Sequence, residues 1–169
     1  MLNEKMEAAL NRHLNEELFS AYLYLSMSAY FDAQNLAGFA NWMRIQGLEE
    51  LSHAQRFYTY INERGGRVLL AALAAPETQW ASPLAAFEAA YQHEVHISAG
   101  IHGLVDLAAE LRDHPTANFL QWFVSEQVEE EASADEVVQR LRLIGNQGAG
   151  LFMMDREMAS RVFVPAPAA

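Results

Sequence analysis

The sequence predicts an all-α protein: a four-helix bundle with one long crossover between helices 2 and 3, plus a short fifth helix at the C-terminus. Three observations carry that expectation. Long stretches lack both Pro and Gly and are rich in Ala, Leu, Glu and Gln, residues that lose little on entering a helix. Apolar residues recur in alternating steps of three and four, the period of one helix face. One aperiodic segment, residues 65–81, interrupts the pattern near mid-chain. At 169 residues the chain is expected to be a single domain, 1–169, large enough for a real core.

The first helix is expected over about 3–33, with the stripe Leu10, Leu14, Glu17, Ala21, Tyr24, Ser28, Phe31. Asn35 and Gly38 break the pattern, and Asn35 reads as the N-cap of a second helix over 36–64. Its stripe is Phe39, Met43, Gln46, Glu50, His53, Phe57, Tyr60, and Gly65-Gly66 is a stop signal. The roughly 17 residues that follow can reach ~55 Å when extended. A helix of about 26 residues is only ~40 Å long, so this connection can run the length of the bundle. Its core, Val68 to Leu73, is apolar enough for a contact between subunits, or for folding back onto its own bundle.

Ser82-Pro83 is a cap followed by Pro at the first helical position, which starts a third helix over 83–111. The third stripe is Leu84, Phe87, Tyr91, Glu94, Ser98, Ile101, Val105, Ala108. Asp113-His114-Pro115 opens the fourth helix, 115–144, with the stripe Leu120, Phe123, Gln127, Glu130, Ala134, Val137, Leu141. Gly145 to Gly150 reads as a hinge before a short helix at 150–163, apolar at Leu151, Met154, Met158 and Val162. The Pro/Ala tail from Val164 is expected to fray.

The net charge of −11 and pI near 4.9 favour cations and argue against nucleic acid or an anionic membrane as partner. No apolar run approaches the ~18 residues of a membrane span. A cytoplasmic protein is expected. With no Cys, any metal site must use oxygen and nitrogen donors.

All four long stripes share one anomaly. Each is apolar or small for two turns, then carries Glu or Gln near mid-helix, then resumes: Glu17; Glu50 with His53; Glu94; Gln127 with Glu130. A single Glu on a stripe is ordinarily a side chain that reaches out to water. Four interruptions at one depth are different, because neighbouring helices meet at mid-length whichever way they run. Four carboxylates in a bundle core would repel one another and cost several kcal/mol each in desolvation. No Lys lies on a stripe and no Arg interrupts one, so a metal is the economical counter-charge. Four carboxylates and one imidazole suit two hard divalent ions sharing a carboxylate. Iron fits, and Mn or Zn could occupy such a site adventitiously.

At this point the chain resembles the prokaryotic non-haem ferritins over essentially its whole length. The match is carried by Glu17 and Tyr24, by Glu49-Glu50-x-x-His53, by Tyr91-Gln-His-Glu94, and by the run from Phe119 to Glu131 (FLQWFVSEQVEEE). The resemblance implies a hollow shell of 24 subunits that oxidises Fe(II) with O2 or H2O2 inside each subunit and stores ferric mineral. It further implies a first iron on Glu17, Glu50 and His53, and Glu50 bridging to a second iron on Glu94 and Glu130. Gln127 would steady the oxidant or a water. Glu49, Glu126 and Glu129, with Glu130, would hold a third iron on the way to the cavity. Tyr24 matches a tyrosine thought to supply an electron, a role compatible with hydrogen-bonding a core carboxylate. Trp122 reads as packing rather than as a second donor, and His13, His93, His96, His102 and His114 as solvated or inter-subunit residues.

The chain also departs from related patterns. Bacterioferritins carry a second Glu-x-x-His where this chain has Gln127-x-x-Glu130, and a haem-binding Met where it has Leu51, so no haem is expected. The acidic pore pair of animal ferritins is replaced by Ala117 and Leu120, which argues for a different entry route.

Overall fold

The computed structural model describes residues 2–145 and 147–165, and among these it contains five helices and no strand. They are α1 (Glu4–Ala33), α2 (Ala37–Glu63), α3 (Pro83–Glu110), α4 (His114–Ile144) and α5 (Gly148–Met158). α1 pairs with α2, α3 pairs with α4, and α1 packs across on α3. One end of the bundle gathers the start of α1, the ends of α2 and α3 and the start of α4. There the Leu2 amide donates to the Arg64 carbonyl, Lys5 pairs with Glu110, and Arg64 pairs with Asp113. α2 and α3 are therefore parallel, as the long crossover requires.

Local chemistry sets the boundaries. Asn3 accepts from the Lys5 amide, Ser82 from Ala85 and Asp113 from Thr116, so α1, α3 and α4 each begin on a side-chain cap. Gly65 closes α2 at φ +72°, a backbone region that L side chains rarely adopt. Asn35 does not cap α2. It takes a left-handed turn at φ 59°, and the residue at the cap position is Leu36, which offers no side-chain acceptor. The acceptor comes from elsewhere in the chain: Asp155 Oδ1 on α5 receives the amides of Gly38 (2.8 Å) and Phe39 (3.1 Å).

The fifth helix ends at Met158, short of the 163 expected from its apolar spacing. Asn41 Nδ2 on α2 donates to the carbonyls of Met158 and Arg161, and at Met158 it stands in for the Val162 amide of another helical turn. The chain then runs on without regular structure through Pro165, so Val162 lies beyond the helix. Of the expected Pro/Ala tail, residues 166–169 lie outside the described residues.

The crossover lies along α1, pinned by polar anchors. Asn11 Oδ1 accepts from the Leu69 amide at 2.7 Å and Asn15 Oδ1 from Ala71 at 3.2 Å. Ser26 and Tyr30 donate to the carbonyls of Glu77 and Trp80. These bonds turn the apolar side chains outward: Leu69 is 54% exposed and Leu70 is 67% exposed. The segment therefore leaves its leucines uncovered by its own bundle.

The hydrophobic core comes in two parts. One, built around Phe31, Phe39, Phe87 and Met154, lies toward α5; the other, around Leu10, Phe57, Leu120 and Phe123, lies toward the opposite end. Between them sits a layer of buried polar side chains.

Candidate metal centre

That layer holds Glu17, Gln46, Glu50, His53, Glu94, Ser98, Gln127 and Glu130, all buried. α1 supplies Glu17, α2 supplies Gln46, Glu50 and His53, α3 supplies Glu94 and Ser98, and α4 supplies the last pair. Residues three or four apart share a helix face, so each helix contributes its polar group between two apolar turns. The helix middles meet, and the four interruptions fall in one buried polar layer.

Glu17, Glu50 and His53 place one ligand atom each within 4.8 Å of one another. His53 Nδ1 lies 3.3 Å from Glu50 Oε2 and 3.9 Å from Glu17 Oε2. The other ring nitrogen faces outward, 3.9 Å from Glu126 Oε1, and His53, Glu126 and Glu130 form a second group of the same tightness. One imidazole thus stands between an inner and an outer cluster. Glu94 is held differently: the Tyr24 hydroxyl donates to Oε1, while Gln127 Nε2 donates to Oε2 at 3.2 Å. In this geometry Gln127 orients Glu94.

His53 and Glu126 of that outer group line a pocket of about 290 Å³ together with Glu49, Ser52, Trp122, Glu129, Val164 and Pro165. Glu49 and Glu126 are half-buried and Glu129 is exposed. Trp122 packs edge-on against His53, with the Arg56 guanidinium 4.2 Å above its ring.

Electrostatics mark the layer as short of cations. Burial, then the neighbouring Glu94, holds Glu50 well above the usual carboxylate range. Burial and Glu130 raise Glu94 to about 8, and burial raises Glu130 and Glu126 as well. Burial pulls His53 down, but its hydrogen bond with Glu50 and the surrounding carboxylates win and raise it to about 10. Glu17 runs the other way. Burial pushes it up, and the His13 bond with the charges of His13 and His53 more than offset that, so it lies below the usual value. Its Oε2 has no hydrogen-bond partner although it is fully buried. An ionised, unpartnered oxygen facing an imidazole and a second carboxylate is what a divalent cation would complete.

Three residues outside the ligand set predicted from the sequence shape this site. Gln46 lies on the α2 stripe and donates to Glu50 Oε1 at 3.2 Å and Glu130 Oε2 at 2.5 Å. His13 is buried, not solvated: it bonds Glu17 Oε1 at 3.0 Å and packs at a tilt against the Phe57 ring. Arg161 brings a cation to the layer's edge, which no stripe could announce, and bonds Glu49 at 2.5 Å. Of the other histidines, His93 is half-buried and bonds Ser20 at 2.7 Å, while burial and then His96 lower it to about 4. His96 is exposed and pairs with Glu16; His102 and His114 are exposed.

The ferritin-like domain model matches residues 7–144. The chain belongs to the ferritin family. It is 41% identical over 161 residues to a bacterial non-heme ferritin of Bacteroides fragilis, covering 95% of this chain and 100% of that protein. A bacterial non-heme ferritin of Staphylococcus saprophyticus is 38% identical over 163 residues, covering 96% and 98%. Among solved structures, an open pore ferritin from Archaeoglobus fulgidus is 53% identical, with TM-score 0.95 over 95% of this chain and 98% of that one. A closed form of the same ferritin, engineered by site-directed mutagenesis, is 54% identical with TM-score 0.96, covering 97% and 100%. Among the described residues, no helix is long and apolar enough to cross a membrane.

Proposed function

We propose that the chain is the subunit of an iron-storage shell that oxidises Fe(II) to Fe(III) at its mid-bundle layer and keeps the ferric mineral in the cavity. The observation that supports this most is the layer itself. Five potential ligands from four helices converge in a buried core, with one carboxylate oxygen of Glu17 left unpartnered. Fe(II) is the substrate. Two ions give up one electron each, and O2 takes two electrons and two protons to become H2O2; with H2O2 as oxidant the product is water.

The chain's part is geometry and charge. Glu17, Glu50 and His53 would hold the first iron, with Glu50 shared toward a second iron on Glu94 and Glu130. Negative charge favours the higher oxidation state, so the carboxylates pull the reaction forward. Tyr24 and Gln127 set the angle of Glu94, and the Tyr24 hydroxyl already has a proton acceptor in Glu94 should it supply an electron. Glu49, Glu126 and Glu129 would hold a third iron in the outer pocket. Homologous structures described as open and closed ferritins support a homo-oligomeric shell, which we take to be of 24 subunits in the cytoplasm. Haem has no part in this scheme, since Leu51 stands where haem-binding relatives carry Met.

Replacing Glu50 and His53 together with Ala tests the assignment. The initial rate of Fe(II) oxidation should fall at least about tenfold, toward the protein-free background, while gel filtration still shows an assembled shell. Oxidation at the wild-type rate would refute it.

A further inference from the structure

Arg161 lies beyond α5, yet its side chain is held in place from several sides. Asn41 Nδ2 donates to the Arg161 carbonyl at 3.0 Å and to that of Met158 at 3.2 Å. The guanidinium lies 4.4 Å over the Trp42 ring, and one of its nitrogens donates to the Trp42 carbonyl at 3.4 Å. From that seat Nη2 donates to Glu49 Oε2 at 2.5 Å and to Gln46 Oε1 at 2.8 Å. Glu49 is one wall of the outer acidic pocket, so the cation beside that wall belongs to the chain itself.

We propose that Arg161 is a tethered counter-cation: it holds the Glu49 carboxylate that a divalent metal in the outer pocket would draw on, and a metal that takes Glu49 must displace it. The inference rests on the iron-storage reading of the site. The guanidinium leaves Glu49 by swinging away from it. Its presence opposes an outer metal twice, by occupying Glu49 and by like-charge repulsion, and both effects have the same sign.

A second consequence follows from Gln46. Arg161 claims its carbonyl oxygen, which forces the amide nitrogen toward Glu50 and Glu130. Arg161 is thus a positioning residue for the inner centre as well. Filling the outer pocket removes the group that fixes the Gln46 amide, so outer occupancy loosens the clamp on the two inner carboxylates.

The test is anaerobic equilibrium dialysis of Co(II) against the assembled full-length protein, with Co(II) absorption spectra as a separate report on the inner pair. Arg161→Gln should bind a third Co(II) per subunit at least about tenfold more tightly than wild type, and the spectrum of the inner pair should change as the Gln46 amide is freed. Arg161→Lys, which keeps the charge but cannot span Glu49 and Gln46 together, should fall between. Asn41→Ala, which cuts the tether and leaves the arginine, should also tighten the third ion. An unchanged or weaker third ion in both Arg161→Gln and Asn41→Ala overturns the proposal, as does the absence of a third ion from every variant. Glu50→Ala separates this from the parent reading. It should lose the inner pair in either background, and retention of both inner ions would refute the inner site whatever Arg161 does.

Discussion

Glu17 and Glu50 are carboxylates of one buried layer, yet their proton affinities are pushed in opposite directions. Burial raises both; two imidazoles bring Glu17 below the usual range, whereas Glu50 faces Glu94 and stays well above it. The metal-free layer therefore keeps protons on some of its ligands near neutral pH, and a divalent ion must displace them. The sign for stability follows. A group whose folded value is raised contributes stability that is fully present below its unfolded value and is lost as pH rises through the folded one. For Glu94 that window runs from 4.5 to about 8, and for His53 from 6.5 to about 10. The metal-free protein should lose stability across it, while zinc-loaded protein, whose ligands need no proton, should not. The gap between their melting temperatures should be wider at about pH 9 than at about pH 6. A gap that narrows with pH would contradict these assignments.

At the scale of elements, α5 is more than an appendage, because it caps α2 and aims Arg161. It docks where Gly38 has no side chain: a Cβ there would lie 1.6 Å from the Asp155 carbonyl oxygen. Gly38→Ala should lift α5 off the bundle, cost about 3 kcal/mol, and speed proteolysis in the linker around Gln147. Asp155→Ala, which removes only the cap, should cost about 1 kcal/mol. If Gly38→Ala melted and resisted protease like wild type, the docking of α5 would be wrong. These contacts also show what the sequence could reveal. Glu17, Glu50, Glu94 and Glu130 stood out because each is a charge on an apolar stripe, and period alone brings stripes together. Gln46 stood on the α2 stripe one turn before Glu50, and only packing shows that its amide reaches Glu130 as well as Glu50. His13 sits one turn before Glu17, off the drawn stripe, where only packing could separate a ligand's partner from a solvated residue. Asp155 and Arg161 act on α2 from more than a hundred residues away, beyond the reach of any local pattern. Asn35 misled because Asn serves both caps and left-handed turns, and the turn prevailed.

At the scale of the molecule, the crossover's two sequence readings divide by which side its leucines face. Its backbone is tied to α1, but Leu70 and Leu69 point away, beside an α1 that itself exposes Leu25 at 57%. An apolar strip of this kind suits burial against a second copy. Leu70→Glu should shift the protein on gel filtration from a shell of hundreds of kDa to small species while its helical circular dichroism persists. An intact shell would exclude this face from the assembly. The ligand layer itself is tested most directly by soaking crystals anaerobically in Fe(II) and locating the metal by anomalous scattering. Two iron peaks per subunit are predicted, one among Glu17, Glu50 and His53 and one among Glu50, Glu94 and Glu130. An empty mid-bundle layer, with iron bound only at the surface, would contradict the account.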